Sequence, residues 1–197
     1  MKRAIFLDRD GTLNKDSGYV HRKEDWIWLP GVLQALRRFR AAGYLLVVVS
    51  NQSGLARGMF TQKDLAALEA WVTTQMAEKN VGIDAWYYCP HLPEITGPCS
   101  CRKPEPGLLL QAARDLDIDL ARSWMVGDSL RDVQAGLAAG CQCVLVGPAG
   151  RERAQSLPAG VITVVHLPAA EAHILGPELH RMRVVRQART QAEDSNS

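Results

Sequence analysis

Apolar residues in this chain follow two rhythms, and the rhythms alternate. Short, nearly continuous apolar runs occur at "RAIFLD" (3–8), "YLLVVVS" (44–50), "IDAWYYC" (83–89), "SWMVGD" (123–128) and "CQCVLVG" (141–147). Runs of that length, rich in β-branched residues and ending at a charge or glycine, read as strands covered on both faces. Between them the spacing lengthens to that of a helix. "GVLQALRRFRAAG" (31–43) places Val32, Leu33, Leu36 and Phe39 on one face and stops at Gly43. "TQKDLAALEAWVTTQMAEKN" (61–80) starts at Thr61, a natural N-cap, with Asp64 placed to close a capping box. "EPGLLLQAARDLDI" (105–118), with Pro106 near its first turn, and "SLRDVQAGLAAG" (129–140) predict two further helices. Beyond Gly147 the pattern predicts a strand over 160–167 and a helix over 171–185 interrupted at Gly176-Pro177. The polar end, 186–197, reads as a frayed tail.

Strands alternating with helices call for a doubly wound parallel α/β sheet with right-handed crossovers. No repeat or linker divides the chain, so 1–185 is expected to form one domain. In such sheets the site lies beyond the C-terminal ends of the strands.

Composition narrows the function. The 47% apolar and 22% charged residues suit a soluble globular protein, and a net charge of +2 gives no general case for nucleic acid or an anionic membrane. The amino-terminal apolar run is too short for a signal peptide, so a cytoplasmic, reducing setting is expected. Nothing demands more than a monomer.

The predicted strand ends are where polar residues collect. The first gives Asp8 and Asp10, two apart and so on one face of an extended segment. The second gives Ser50, Asn51, Gln52 and Ser53; the third leads to Lys103; the fourth gives Asp128 and, one helical turn later, Asp132. Each could be a cap or a solvated charge taken alone. Their recurrence at four successive strand ends points to one shared site.

The third connection also carries Cys89-x-His91, seven residues, then Cys99-x-Cys101. In a reducing compartment three thiolates and an imidazole form a tetrahedral zinc set, structural because no position is left for water. Cys141 and Cys143 lie in an apolar run and read as core. The tryptophans of "WIWL" (26–29) read as packing.

"FLDRDGTLN", "VVVSNQSG", "RKPEPG" and "MVGDSLRD" resemble the four ordered motifs of the haloacid dehalogenase-like phosphatases. "GYVH", "NQSGLARG", "YYCPH" and "CSCRKP" are similar to the family of D-glycero-D-manno-heptose 1,7-bisphosphate 7-phosphatases, with histidinol-phosphate phosphatases as cousins that share the Cys/His loop. The resemblance implies a Rossmann-like fold and Mg²⁺-dependent hydrolysis of a small phosphorylated metabolite, a sugar bisphosphate in the closer family. It implies Asp8 as nucleophile and Asp10 as general acid and then base, a dual role that nearby carboxylates would favour by raising its pKa. Mg²⁺ would be held by Asp8, the Asp10 carbonyl and Asp128. Lys103, Ser50 and the Asn51 amide would bind phosphoryl oxygens, and Asp132 would orient Lys103 or a metal-bound water.

Residues 14–30 are too few for an inserted cap domain, so the site is expected to be capless and open. Specificity then falls to short loops: Asp16, Ser17, Gly18 and Tyr19 in "KDSGYV", Gln52 and Ser53, Arg57 in "GLARG", and Arg102, presented by the zinc-braced loop. Ser129 departs from the lysine that heptose-type relatives often carry after the fourth-motif aspartate. A zinc-braced binding module without activity is the alternative of another class, and it has no use for Asp10.

Overall fold

A computed structural model describes residues 1–147 and 157–176. Six strands, β1 (Arg3–Leu7), β2 (Tyr44–Asn51), β3 (Ala85–Cys89), β4 (Trp124–Gly127), β5 (Gln142–Val146) and β6 (Ile162–Val164), form one sheet in the order β3-β2-β1-β4-β5-β6. Every pairing is parallel. The helices are α1 (Val32–Ala41), α2 (Gln62–Ala77), a single turn α3 (Pro93–Thr96), α4 (Gly107–Leu116) and α5 (Leu130–Ala139).

Alternation along the strands sorts the core into two layers. Ile5, Leu7, Leu46 and Val48 pack with Leu36 and Phe39 of α1 and Val72 of α2 on one face. Ala4, Phe6, Val47 and Val49 pack with Leu109 of α4 and Val133 of α5 on the other. Both faces are therefore covered, which is why these strands read as continuous apolar runs. The capping box of α2 is present: the Thr61 amide donates to Asp64 Oδ2 at 2.8 Å, and the Asp64 amide donates to Thr61 Oγ1 at 3.2 Å. Cys141 and Cys143 are buried, and Trp26 packs edge-on against Trp28 at 5.0 Å.

The carboxyl-terminal region differs from the expectation. The last strand is confined to Ile162–Val164, and residues 167–176 are already helical. Pro168 lies in the first turn of that helix, where its missing N–H costs nothing. The expected helix beyond 176 and the tail 186–197 lie outside the described residues. Strand order reverses at β1, between β2 and β4. That switch point opens a crevice at the carboxyl ends of β1, β2 and β4.

Candidate active site

A cavity of about 380 Å³ fills this crevice. Asp8 follows β1, and its amide donates to the Val126 carbonyl of β4 at 2.9 Å, so the switch point itself fixes the residue. Lys103 arrives from the loop between β3 and α4. Its buried Nζ donates to Asp8 Oδ1 at 2.6 Å and to the Val49 carbonyl at 2.7 Å, and pairs with Asp132 Oδ1 at 2.7 Å. Three acceptors saturate the ammonium and fix its position. Asp132 is held in turn, because Oδ2 accepts from the Ser129 amide at 3.0 Å and the Ser129 hydroxyl at 2.9 Å.

The loop carrying Lys103 is tied to β2 by both ends of one side chain. Asn51 Nδ2 donates to the Lys103 carbonyl at 3.0 Å, and the Lys103 amide donates to Asn51 Oδ1 at 3.1 Å. Gln52 Nε2 donates to Ser50 Oγ at 3.0 Å and to Asp10 Oδ2 at 3.1 Å.

Glycines allow the carboxylates to converge. A Cβ on Gly11, whose φ is +83°, would collide with the Asp128 carboxylate, and one on Gly127 would collide with Asp132. Side-chain oxygens of Asp8, Asp128 and Asp132 lie within 4.8 Å of one another. Burial pushes the Asp8 carboxyl up to about 7, with Asp132 and Asp128 adding to it and Lys103 opposing. Burial, then Asp132, pushes Asp128 up to about 6. Burial works against the Lys103 charge, but Asp132 and Asp8 outweigh it and hold the ammonium above the usual lysine range. Hard oxygen donors that cannot all stay charged unaided fit a cation such as Mg²⁺. Asp132 is already committed to Lys103 and Ser129, which leaves Asp8 and Asp128 for that cation.

The cysteines and histidine also converge. Cys101 Sγ lies 3.2 Å from Cys89 Sγ, 3.5 Å from Cys99 Sγ and 3.3 Å from His91 Nδ1. Cys89 Sγ lies 3.7 Å from both Cys99 Sγ and His91 Nδ1. Zinc–sulfur bonds of about 2.3 Å in a tetrahedron give edges of about 3.8 Å, so the set fits one Zn²⁺. Burial first, then the Cys101 thiol, raises the Cys89 thiol far above its ordinary range, and a metal would relieve that crowding. Arg102 Nη1 donates to the His91 carbonyl at 3.1 Å, so this loop also aims the rim arginine.

Of the expected rim residues, Asp16, Gly18, Tyr19, Asn51, Gln52, Ser53 and Arg102 line the cavity; Ser17 and Arg57 do not. Ser129, where heptose-type relatives often carry lysine, lines the cavity, and two residues were not anticipated: Arg131, which also lines it, and buried Arg9, which grips Asp10. The Asp10 carboxylate itself accepts from Arg9, from Asn14 at 2.9 Å and from Gln52.

Residues 100–169 match the HAD-hydrolase-like family model. The D-glycero-beta-D-manno-heptose-1,7-bisphosphate 7-phosphatase of Yersinia pestis is 50% identical over 141 residues, 69% of this chain and 75% of the relative. The chain belongs to the heptose bisphosphate phosphatase family. Within that family the Pasteurella multocida enzyme is likewise 50% identical, over 71% of this chain and 78% of its own length. The crystal structure of D,D-heptose 1,7-bisphosphate phosphatase from B. bronchiseptica, complexed with magnesium and phosphate, superposes with a TM-score of 0.81 at 42% identity. It covers 89% of this chain and 99% of its own. As a family member the chain is a phosphoric monoester hydrolase of the HAD superfamily, and among its described residues no helix is long and apolar enough to cross a membrane.

Proposed function

We propose that this protein removes the 7-phosphate of D-glycero-D-manno-heptose 1,7-bisphosphate through an aspartyl-phosphate, in the synthesis of activated heptose. The observation that carries this reading is the buried Asp8–Lys103–Asp132 array on the cavity wall that Asp10 also lines. Asp8 attacks phosphorus, the bond to the sugar oxygen breaks, and Asp10 delivers a proton to that oxygen. A water then attacks the phosphoryl group, Asp10 takes its proton, the bond to Asp8 breaks, and inorganic phosphate leaves. Lys103 holds the phosphoryl charge, and Ser50 Oγ and the Asn51 amide bind its oxygens. Asp8, Asp128 and the Asp10 carbonyl would hold Mg²⁺, which neutralises phosphate charge and keeps Asp8 ionised. Cys89, His91, Cys99 and Cys101 would hold Zn²⁺ as a brace.

The second phosphate needs a cationic receptor. Arg102 supplies a planar fork at the rim, already oriented by the His91 carbonyl. Asp16 on the same rim is the feature that favours histidinol phosphate, whose far end is an ammonium. Comparing kcat/KM for the two substrates tests the assignment, and better use of histidinol phosphate would overturn it. Arg102→Ala is expected to lower kcat/KM for the bisphosphate about 10- to 150-fold, the loss of one charge-assisted contact of about 1.5–3 kcal/mol, and to spare p-nitrophenyl phosphate.

The raised carboxyls give a pH prediction. Asp8 at about 7 and Asp128 at about 6 bind protons more tightly in the metal-free fold than in the unfolded chain. Their contribution to metal-free stability is therefore full below about 4 and falls as pH rises toward 7. Mg²⁺ competes with the same protons, so its affinity is expected to rise with pH across 5–8, about tenfold per unit where one proton is released. Titration calorimetry in two buffers reads that release, and a pH-independent affinity would refute it.

We read the protein as a single-domain cytoplasmic monomer without nucleic acid or membrane partners; the expected boundary at 185 lies outside the described residues. The single six-stranded sheet of the described residues and the net charge of +2 support this reading.

A further inference from the structure

We infer that Arg9 is a positioning residue, which fixes the carboxylate of Asp10 and ties it to the rim turn that faces the substrate; this rests on the acid–base role given to Asp10 above. Arg9 is 1% exposed, among the largest fully buried side chains of the protein. It lies at the bend just past β1, between two aspartates that line the cavity, and is itself absent from that lining. Nε donates to Asp10 Oδ1 at 3.2 Å and Nη2 donates to Asp10 Oδ2 at 2.6 Å. Nη2 also donates to the Val20 carbonyl at 2.6 Å. The guanidinium sits 6.0 Å from the centre of the Trp26 ring.

One planar group thus touches two parts of the site. Toward the chemistry it grips both oxygens of Asp10, which removes the rotation a free aspartate would keep. Toward the substrate it anchors the turn at Gly18 and Tyr19, whose φ values of +81° and +51° are both left-handed. Tyr19 pays strain in that region, so the turn needs external support. Besides Arg9, the turn is held by the Val20 side chain buried in the core, by His21 stacked on Phe60 at 4.9 Å, and by two exposed hydrogen bonds, the Gly18 amide to Asp16 Oδ1 at 2.9 Å and His21 Nδ1 with the Tyr19 carbonyl at 2.7 Å. Arg9 is the charged group that ties it to Asp10. Lysine cannot replace the fork, because an ammonium offers point donors on a flexible stem.

Asp10 must meet the leaving oxygen and later the attacking water at nearly the same point. A misplacement of about 1 Å costs on the order of 100-fold. Arg9→Lys is therefore expected to slow the heptose bisphosphate about 10- to 100-fold and to raise its KM. With p-nitrophenyl phosphate the steps separate. The nitrophenolate leaves without a proton, whereas hydrolysis of the aspartyl-phosphate still needs the base. Rapid mixing of Arg9→Lys should show a burst of nitrophenolate at near wild-type rate, then slow turnover. Equal slowing of both phases would overturn the inference.

A double-mutant cycle gives the second reading. If Arg9 acts through Asp10, Arg9→Lys in an Asp10→Asn background should cost less than about twofold further. A multiplicative loss there, with Asp10→Asn itself slow, overturns the Arg9 role alone. Near-normal turnover by Asp10→Asn alone overturns the acid–base assignment instead. Circular dichroism and zinc content verify folding. Should Arg9→Lys not fold, Arg9→Gln, which keeps one donor toward Asp10, carries the same cycle.

Discussion

Replacing Asp8 with Asn is expected to abolish turnover, by about 10⁴-fold or more, while the fold stays in place. An amide cannot attack phosphorus, and the other carboxylates have other tasks, Asp128 being the proposed partner of Asp8 in holding Mg²⁺. Asp10 is occupied by Arg9, Asn14 and Gln52, and Asp132 by Lys103 and Ser129. Stability is the less obvious half of the prediction. Asp8 is buried, and burial has pushed its carboxyl up to about 7, so the ionised group is costly to keep there. Asparagine removes that cost and still offers an oxygen to Lys103, which also retains Asp132 and the Val49 carbonyl. Thermal unfolding should move by only a few degrees. Phosphoenzyme trapping from labelled substrate checks the covalent step: wild type should carry label and Asp8→Asn none. Near-normal turnover by the variant would remove the covalent mechanism.

Replacing Cys101 with Ala is expected to cost both metal and specificity. Cys101 Sγ is the hub of the cluster, within 3.2–3.5 Å of the other three donors. Structural zinc in small peptides contributes about 10–16 kcal/mol of binding, all of it lost to folding when the site fails. Here the sheet and its two core layers remain, so the loss should be confined to the loop. The His91 carbonyl that orients Arg102 would then move, and the far end of a bisphosphate would lose its receptor. We expect less than 0.2 zinc per chain, a lowered unfolding temperature, and a fall of about 10-fold or more in kcat/KM for the bisphosphate. Asn51 continues to clamp Lys103, so p-nitrophenyl phosphate should suffer less. Metal analysis of tag-free protein provides the check: wild type without zinc, or a variant indistinguishable from it, would refute the structural role.

Strand ends were legible in the sequence because a covered parallel strand is a plain apolar run and the polar residue that follows it marks the crevice. Asp8, Ser50 and Asp128 were found that way. Asp132 needed only helical spacing from Asp128, and the zinc set needed only residue type and proximity. Arg9 was missed because a charged residue in the turn after a strand reads as solvated; the signal was its place between two aspartates of one site, where a cation finds an anion beside it. Arg131 was missed because an exposed arginine in a first helical turn has the same pattern whether or not a cavity adjoins it. Loop 14–30 and the connection from β2 to α2 carry no periodicity, so Ser17 and Arg57 could not be told from Asp16 and Tyr19, which reach the cavity. The last strand was overextended because "HL" continues an apolar run, whereas the backbone leaves the sheet after Val164.

The segment between Cys89 and Lys103 is fastened at both ends by contacts that do not involve its own sequence. The Gln52 amide donates to the Cys89 carbonyl at 2.8 Å at one end, and Asn51 brackets Lys103 at the other. Such a piece behaves as a cassette. Its interior can be exchanged for another loop of different reach and charge while the lysine keeps its place beside Asp8. Retargeting this scaffold to a new phosphate ester is then a matter of grafting those few residues together with their metal, leaving the sheet untouched.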